Sequence, residues 1–249
     1  MEAGIQVSSF KPILKTAEEV RHAFFKMHEM GCEVVQIQWI DPSVEIDVIA
    51  QAMAENHIRS VSVQDFYELI RADKAYYIEL NRRTGGTWMC VSRIPERLKS
   101  REGLAQFVEE LREFARELEA VGQKICFHPV KVDYQPIDGV RPVEYLMREM
   151  PELDICLDLY HLYRSGYDMP KWIRENAARI CMVHFKDAKT LPNGTEQLVP
   201  AGQGETNWEG VVEACIEAGV PYGFAEQERW ERDPFISLQE AFDWIRAQK

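Results

Sequence analysis

The sequence predicts a single (β/α)₈ barrel over residues 1–249, and three observations carry that expectation. Short apolar runs alternate with amphipathic stretches eight times, at about 31 residues per unit, the size of strand–helix pairs that close on themselves. No stretch of flexible composition divides the chain. No glycine-rich turn follows the first apolar run, so the sequence lacks the main signature of a doubly wound sheet.

The elements follow in order. Residues 5–8 begin the first strand. Thr16, with Glu19 three residues on, has capping-box spacing and opens a helix through Met30 that stops at Gly31. Residues 34–40 (VVQIQWI) alternate as the second strand, and a helix covers about 44–56. Residues 58–63 form the third strand, which ends at Gln64 and Asp65; a helix then runs through Leu80 until NRRTGG breaks it. Residues 87–91 are the fourth strand, ending near Ser92 and Arg93. The longest helix, about 101–121, places Leu104, Phe107, Val108, Leu111, Phe114, Ala115 and Leu118 at three- and four-residue steps, with acids and arginines between. Residues 124–127 are the fifth strand, 142–150 a helix, and 153–157 the sixth strand. A helix over 169–176 leads to the seventh strand, 179–185. Residues 191–207 (LPNGTEQLVPAGQGETN) show no periodicity. A structureless run of that length is usually a lid or binding loop, which makes 188–207 the expected active-site loop. A helix at 208–218, the eighth strand at 222–226 and a closing helix at 237–247 complete the chain.

Composition narrows the function. The formal net charge of -12 is spread along the chain and opposes a nucleic-acid partner, because phosphate neutralisation needs a basic surface. No apolar run approaches the roughly 18 residues that span a bilayer, so no membrane partner is expected. The N-terminal MEAGIQVSSFKP has neither the basic start nor the long apolar core of a signal peptide. Six cysteines show no CxxC pairing and four fall within predicted strands, the pattern of small buried thiols in a reducing compartment; a cytoplasmic location without disulfides is expected.

Barrel enzymes carry their reacting groups at the carboxyl ends of the strands. Here those positions hold Trp39 and Asp41, Gln64 and Asp65, Arg93, His128 and Asp133, Asp158 and His161, His184 and Lys186, then Glu226, Gln227 and Glu228. Acids and imidazoles gather on strands five to eight, and two or three carboxylates with an imidazole suit a divalent ion. Each residue also has a structural use. Asp158 can cap the next helix, His184 can be a core histidine, Glu226 can sit in an ion pair, His161 can belong to an aromatic cluster, and Lys186–Asp187 can be a solvated pair.

The runs DLYH at 158–161, GYD at 166–168, VHFKD at 183–187, AGQGETNW at 201–208 and FAEQE at 224–228 resemble the sugar-phosphate isomerase/epimerase family. These are xylose-isomerase-like TIM barrels, which also include inosose dehydratases and 3-dehydroshikimate dehydratase. The resemblance is good from about Lys124 onward and looser before it. It implies one divalent metal ion, Mn²⁺ first, with Co²⁺, Mg²⁺ or Zn²⁺ as alternatives. The implied ligands are an acid after strand five with Asp158, His184 and Glu226. Strand five departs from the family pattern: where many members have glutamate, this chain reads KICFHPVKVDY. Asp133 is the expected fourth ligand, with His128, or a site of only three protein ligands, as the alternatives.

The implied chemistry is proton abstraction beside a carbonyl, giving an enediolate. Glu226 and either His128 or Asp133 form the opposed acid/base pair; His161, Lys186, Trp39, Gln64 and Arg93 bind substrate. The expected activity is isomerisation or epimerisation of a small sugar, sugar phosphate or polyol-derived ketone. A dehydratase on the same fold is the alternative. A non-catalytic sugar-binding barrel and an apurinic endonuclease are weaker readings, the latter opposed by six histidines and the acidic charge. Family members are often dimers or tetramers, so homo-oligomerisation is an expectation.

Overall fold

The structure, a computed structural model, describes residues 1–248. Eight parallel strands close into a barrel: β1 (Glu2–Gln6), β2 (Val34–Ile37), β3 (Arg59–Phe66), β4 (Trp88–Ser92), β5 (Lys124–His128), β6 (Asp154–Asp158), β7 (Ile180–Phe185) and β10 (Tyr222–Ala225). The order is sequential around the barrel, and β1 closes it by pairing with β10 from Glu2↔Tyr222 to Ile5↔Ala225. That closure explains why the first strand begins at Glu2, earlier than the sequence suggests. The next residues, Val7–Ile13, turn into a 3₁₀ helix.

Helices surround the barrel: α1 (Ala17–Glu29), α2 (Ile46–Glu55), α3 (Tyr67–Ala72), α4 (Lys74–Arg83), α5 (Arg101–Glu119), α6 (Pro142–Glu149), α7 (Leu159–Arg164), α8 (Met169–Glu175), α9 (Val211–Glu217) and α10 (Pro234–Ala247). α1 opens on the capping box of Thr16 and Glu19. α5 is capped by Ser100 and buries Leu104, Phe107, Val108, Leu111, Phe114 and Leu118 against the barrel wall. The segment read as one helix through Leu80 is two, because Asp73 leaves helical geometry (φ -145°) and caps α4 through the Tyr76 amide.

The loop expected over 188–207 is partly ordered into a hairpin, β8 (Asp187–Thr190) pairing antiparallel with β9 (Glu196–Val199). The buried Asp187 carboxylate ties down the rest, accepting from the amides of Ala188, Gly202, Gly204 and Thr206 and from the Trp208 indole. A methyl at Gly204 would lie 2.2 Å from Asp187 Oδ1, so that position admits only glycine. The AGQGETNW run is therefore the frame of this anchor.

Two apolar layers fill the molecule. The larger lies between strands and helices; a smaller group of Val34, Val61, Cys90, Cys126, Cys156, Cys181, Met182 and Phe224 packs within the barrel. All six cysteines are free and buried. Among the described residues no helix is long and apolar enough to cross a membrane.

Candidate metal centre

Above the inner apolar layer, the strand ends become polar. Strand pairing sets Ser92 beside His128 and Asp158 beside His184 at the carboxyl rim. His128, Asp158, His184 and Glu226 each bring one ligand atom to a common point, all within 4.8 Å of one another. Ligands held about 2.0–2.2 Å from a tetrahedral ion stand about 3.4 Å apart, so these atoms need only small movements to share one.

Each of the four has one atom tied and one free. His184 Nε2 lies 2.5 Å from Gln36 Oε1. An amide oxygen only accepts, so Nε2 carries the proton and Nδ1 presents its lone pair, 3.0 Å from Glu226 Oε2. His128 Nδ1 is 3.2 Å from Ser92 Oγ, leaving Nε2 free 3.8 Å from Asp158 Oδ2. Asp158 Oδ1 accepts from the His161 amide at 2.9 Å and caps α7, while Oδ2 turns inward. Glu226 Oε1 faces Ser8 Oγ at 3.4 Å. The free atoms, His128 Nε2, Asp158 Oδ2, His184 Nδ1 and Glu226 Oε2, are all buried without a hydrogen-bond partner. Lys186 offsets part of the charge of the two carboxylate oxygens, but the two imidazole lone pairs face no donor, and two neutral imidazoles with two carboxylates fit a divalent cation.

The electrostatics agree with that donor set. Burial first, then the neighbouring His184, push the His128 imidazole down to about 3, so it is a neutral lone-pair donor across the working pH range. Burial works to raise Asp158, but His161 and Lys186 outweigh it and hold the carboxyl below its ordinary value. Burial likewise opposes ionisation of Glu226, and the Lys186 ammonium outweighs it strongly.

Asp133 is not brought to these atoms. It lies in the 3₁₀ turn Lys131–Tyr134, and both of its oxygens accept backbone amides, from Val130 at 2.9 Å and Ile94 at 3.2 Å. Burial raises its carboxyl to about 6. The expectation that Asp133 would be the fourth ligand is corrected by position: β5 ends at His128, and alternation from Cys126 turns that imidazole inward, whereas Asp133 lies five residues past the strand.

With this geometry in view, comparison with known proteins is informative. Residues 24–248 match the family described as xylose isomerase-like TIM barrel. The chain belongs to that family. A sugar phosphate isomerase/epimerase from Parabacteroides distasonis superposes with a TM-score of 0.78 at 13% identity, over 98% of this chain and 96% of that one. A D-allulose 3-epimerase from Methylomonas sp. gives 0.77 at 16%, over 100% and 98%. The IOLI protein, solved with a zinc atom, gives 0.73 at 16%, over 100% and 96%. At such identities these likenesses establish the shared fold. No curated protein sequence matches significantly.

Within this xylose isomerase-like barrel, Lys186 stands among the candidate ligands. Its Nζ lies 3.3 Å from Asp158 Oδ2, 3.5 Å from Glu226 Oε2 and 2.7 Å from Glu228 Oε1. Burial opposes its charge, but the three carboxylates prevail and keep it an ammonium. His161 borders the same space, with Nε2 3.7 Å from Asp158 Oδ2 and Nδ1 buried without a partner. Gln64 lies in the opposite wall, donating to Gln38 Oε1 at 3.2 Å and accepting from Cys90 Sγ. Trp39 and Arg93 stand farther along the rim on either side of Phe66, the indole 5.9 Å from its ring and the guanidinium 5.3 Å. Both occupy left-handed backbone, at φ 60° and 48°, a strained placement that recurs at functional rims.

Two groups escape a reading of strand ends alone. Gln36 orients His184, and Ser92 orients His128. The signal for Gln36 was a glutamine alternating with apolar residues in VVQIQWI, which places its amide inside the barrel.

Proposed function

We propose that this barrel is a divalent-metal-dependent isomerase or epimerase of a small sugar, sugar phosphate or polyol-derived ketone. The observation that carries the proposal is the set of four orphaned ligand atoms on His128, Asp158, His184 and Glu226, with the Lys186 ammonium beside them. Two nitrogen donors in place of one favour Zn²⁺ or Co²⁺ over Mn²⁺, since imidazole suits the later metals and carboxylate the earlier ones. When bound, such an ion polarises a substrate carbonyl and acidifies the neighbouring C–H.

The side chains do the remaining work. Glu226 is held ionised, and its Oε1, the oxygen not assigned to the ion and carrying only a 3.4 Å contact with Ser8 Oγ, takes the substrate proton. Lys186 faces the negative charge that then develops on the substrate oxygens. His161 flanks the same space from α7, its ring 6.2 Å from that of His128 and its Nδ1 buried without a partner, and supplies the second position at which a proton is held. The β8–β9 hairpin lies over this side, tied by Tyr160 to Glu196 and by Arg164 to Glu196 at 2.6 Å. It limits water access to the intermediate. The D-allulose 3-epimerase, solved with D-allulose bound, lends the proposal a chemical parallel.

The test is a screen of ketoses in D₂O with metal-loaded protein, following the α-proton by NMR. Exchange without loss of water is expected. Appearance of an enone chromophore assigns a dehydratase instead, and absence of exchange in every ketose tried rejects proton-transfer chemistry.

A further inference from the structure

The Lys186 ammonium and a divalent ion compete for the same two oxygens. Nζ stands 3.3 Å from Asp158 Oδ2 and 3.5 Å from Glu226 Oε2, and both are candidate ligand atoms. An ion about 2.1 Å from Asp158 Oδ2 lies at most about 5.4 Å from Nζ as it stands, so the two charges repel and the ammonium loses two of its partners. A buried ammonium without a carboxylate is costly, and Lys186 is only 3% exposed. Its remaining partner is Glu228, whose Oε1 accepts from Nζ at 2.7 Å, the shortest of the three contacts. Glu228 has no part in the set of four, and its placement is built. Gln227, between Glu226 and Glu228, is tied elsewhere: its amide donates to the carbonyls of Leu198 at 3.2 Å and Arg229 at 2.9 Å, and its backbone N–H donates to Ser9 Oγ at 3.0 Å. With Gln227 fixed there, the carboxylates on either side of it both reach Lys186.

We propose that Glu228 is the positioning residue of Lys186: it keeps the ammonium beside the metal centre, facing the substrate oxygens, when Asp158 and Glu226 turn to the ion. The proposal rests on the metal-centre reading and goes beyond it, since Glu228 neither binds the ion nor moves a proton. Its consequence is a coupling. In metal-free protein lacking the Glu228 charge, Lys186 still has Asp158 and Glu226. With an ion on those carboxylates it has neither, so loss of Glu228 is felt mainly in the metal-bound state and only where Lys186 is present. A merely structural ion pair would be equally strong in both states. Plain removal of one negative charge would weaken metal binding to the same degree with or without Lys186.

Calorimetric zinc titration of wild type, Glu228→Gln, Lys186→Met and the double variant tests this, with urea denaturation of each metal-free protein to establish that it is folded. The Glu228 side chain is 26% exposed, so the isosteric Glu228→Gln leaves the packing intact. It is expected to lower zinc affinity about tenfold or more where Lys186 is retained, and less than about threefold in the Lys186→Met background. Glu228→Asp, which restores a carboxylate, recovers most of the loss. Lys186→Gln, which keeps a donor to the carboxylates, takes the place of Lys186→Met if that variant does not fold. Equal losses in the two backgrounds, or no loss in Glu228→Gln, overturn the proposal while wild-type zinc binding leaves the metal centre standing. Absence of zinc binding in folded wild type overturns the metal centre, and the role of Glu228 with it.

Discussion

Replacing Gln36 with leucine removes the acceptor that fixes the His184 tautomer. Gln36 Oε1 takes the Nε2 proton of His184 at 2.5 Å and the Gln6 amide at 2.7 Å, and its own amide reaches Ser62 Oγ at 3.2 Å. All of these groups are buried. In Gln36→Leu the His184 and Gln6 donors both lose their partner, and each unsatisfied buried donor costs about 1–3 kcal/mol, so a stability loss of about 2–6 kcal/mol is expected. Metal affinity should fall about 10- to 100-fold, the usual effect of removing a partner that orients a histidine ligand. Gln36→Glu separates the two effects. It keeps an acceptor and strengthens it, so it should retain zinc affinity even where burial of a new carboxylate lowers stability. Calorimetric zinc titration gives the affinity, and urea denaturation of the apo protein gives the stability. Wild-type zinc affinity in Gln36→Leu, or equal losses in both variants, refutes this account of His184.

Three further outcomes follow from the same geometry. Lys186→Met should bind zinc about tenfold tighter, because an ammonium that competes for Asp158 and Glu226 is removed, and should lose α-proton exchange; weaker zinc binding contradicts this. Asp133→Asn should keep its metal and differ in pH response. With its carboxyl raised from 3.8 to about 6 in the fold, Asp133 contributes stability that is full below 3.8 and lost as pH rises through about 6. Relative to the asparagine variant, wild type should lose up to about 3 kcal/mol between about pH 4 and pH 7 in denaturation series. Gly204→Ala should cost about 1–3 kcal/mol, since its methyl meets Asp187 Oδ1 at 2.2 Å and the Ala188 carbonyl at 2.5 Å; a neutral result removes the anchoring role of Asp187.

Much of this arrangement was legible in the residues. The eightfold alternation of strand and helix predicted the closed barrel, and apolar runs ending in Asp158, His184 and Glu226 pointed to the carboxyl rim. Asp158 shows why separate roles were hard to choose between: one oxygen caps α7 and the other faces the cluster, so the structural and ligand readings describe two atoms of one side chain. Alternation from Cys126 favours His128, whereas the family pattern of an acid near strand five favours Asp133. The β8–β9 hairpin was unreadable because its strands are four residues each, DAKT and EQLV, with little apolar alternation. Its order comes from Asp187, whose amide donors lie 15 to 19 residues away at Gly202, Gly204 and Thr206. Gln36 was hidden for a related reason, as its partner His184 is 148 residues distant.

The central claim is that His128, Asp158, His184 and Glu226 hold one divalent ion and that Asp133 does not. Its most direct test is metal content after zinc loading and desalting, measured on wild type, Asp158→Asn and Asp133→Asn side by side. The account predicts one equivalent in wild type and in Asp133→Asn, and loss of metal in Asp158→Asn. Metal that persists in Asp158→Asn, or disappears in Asp133→Asn while that protein stays folded, contradicts it.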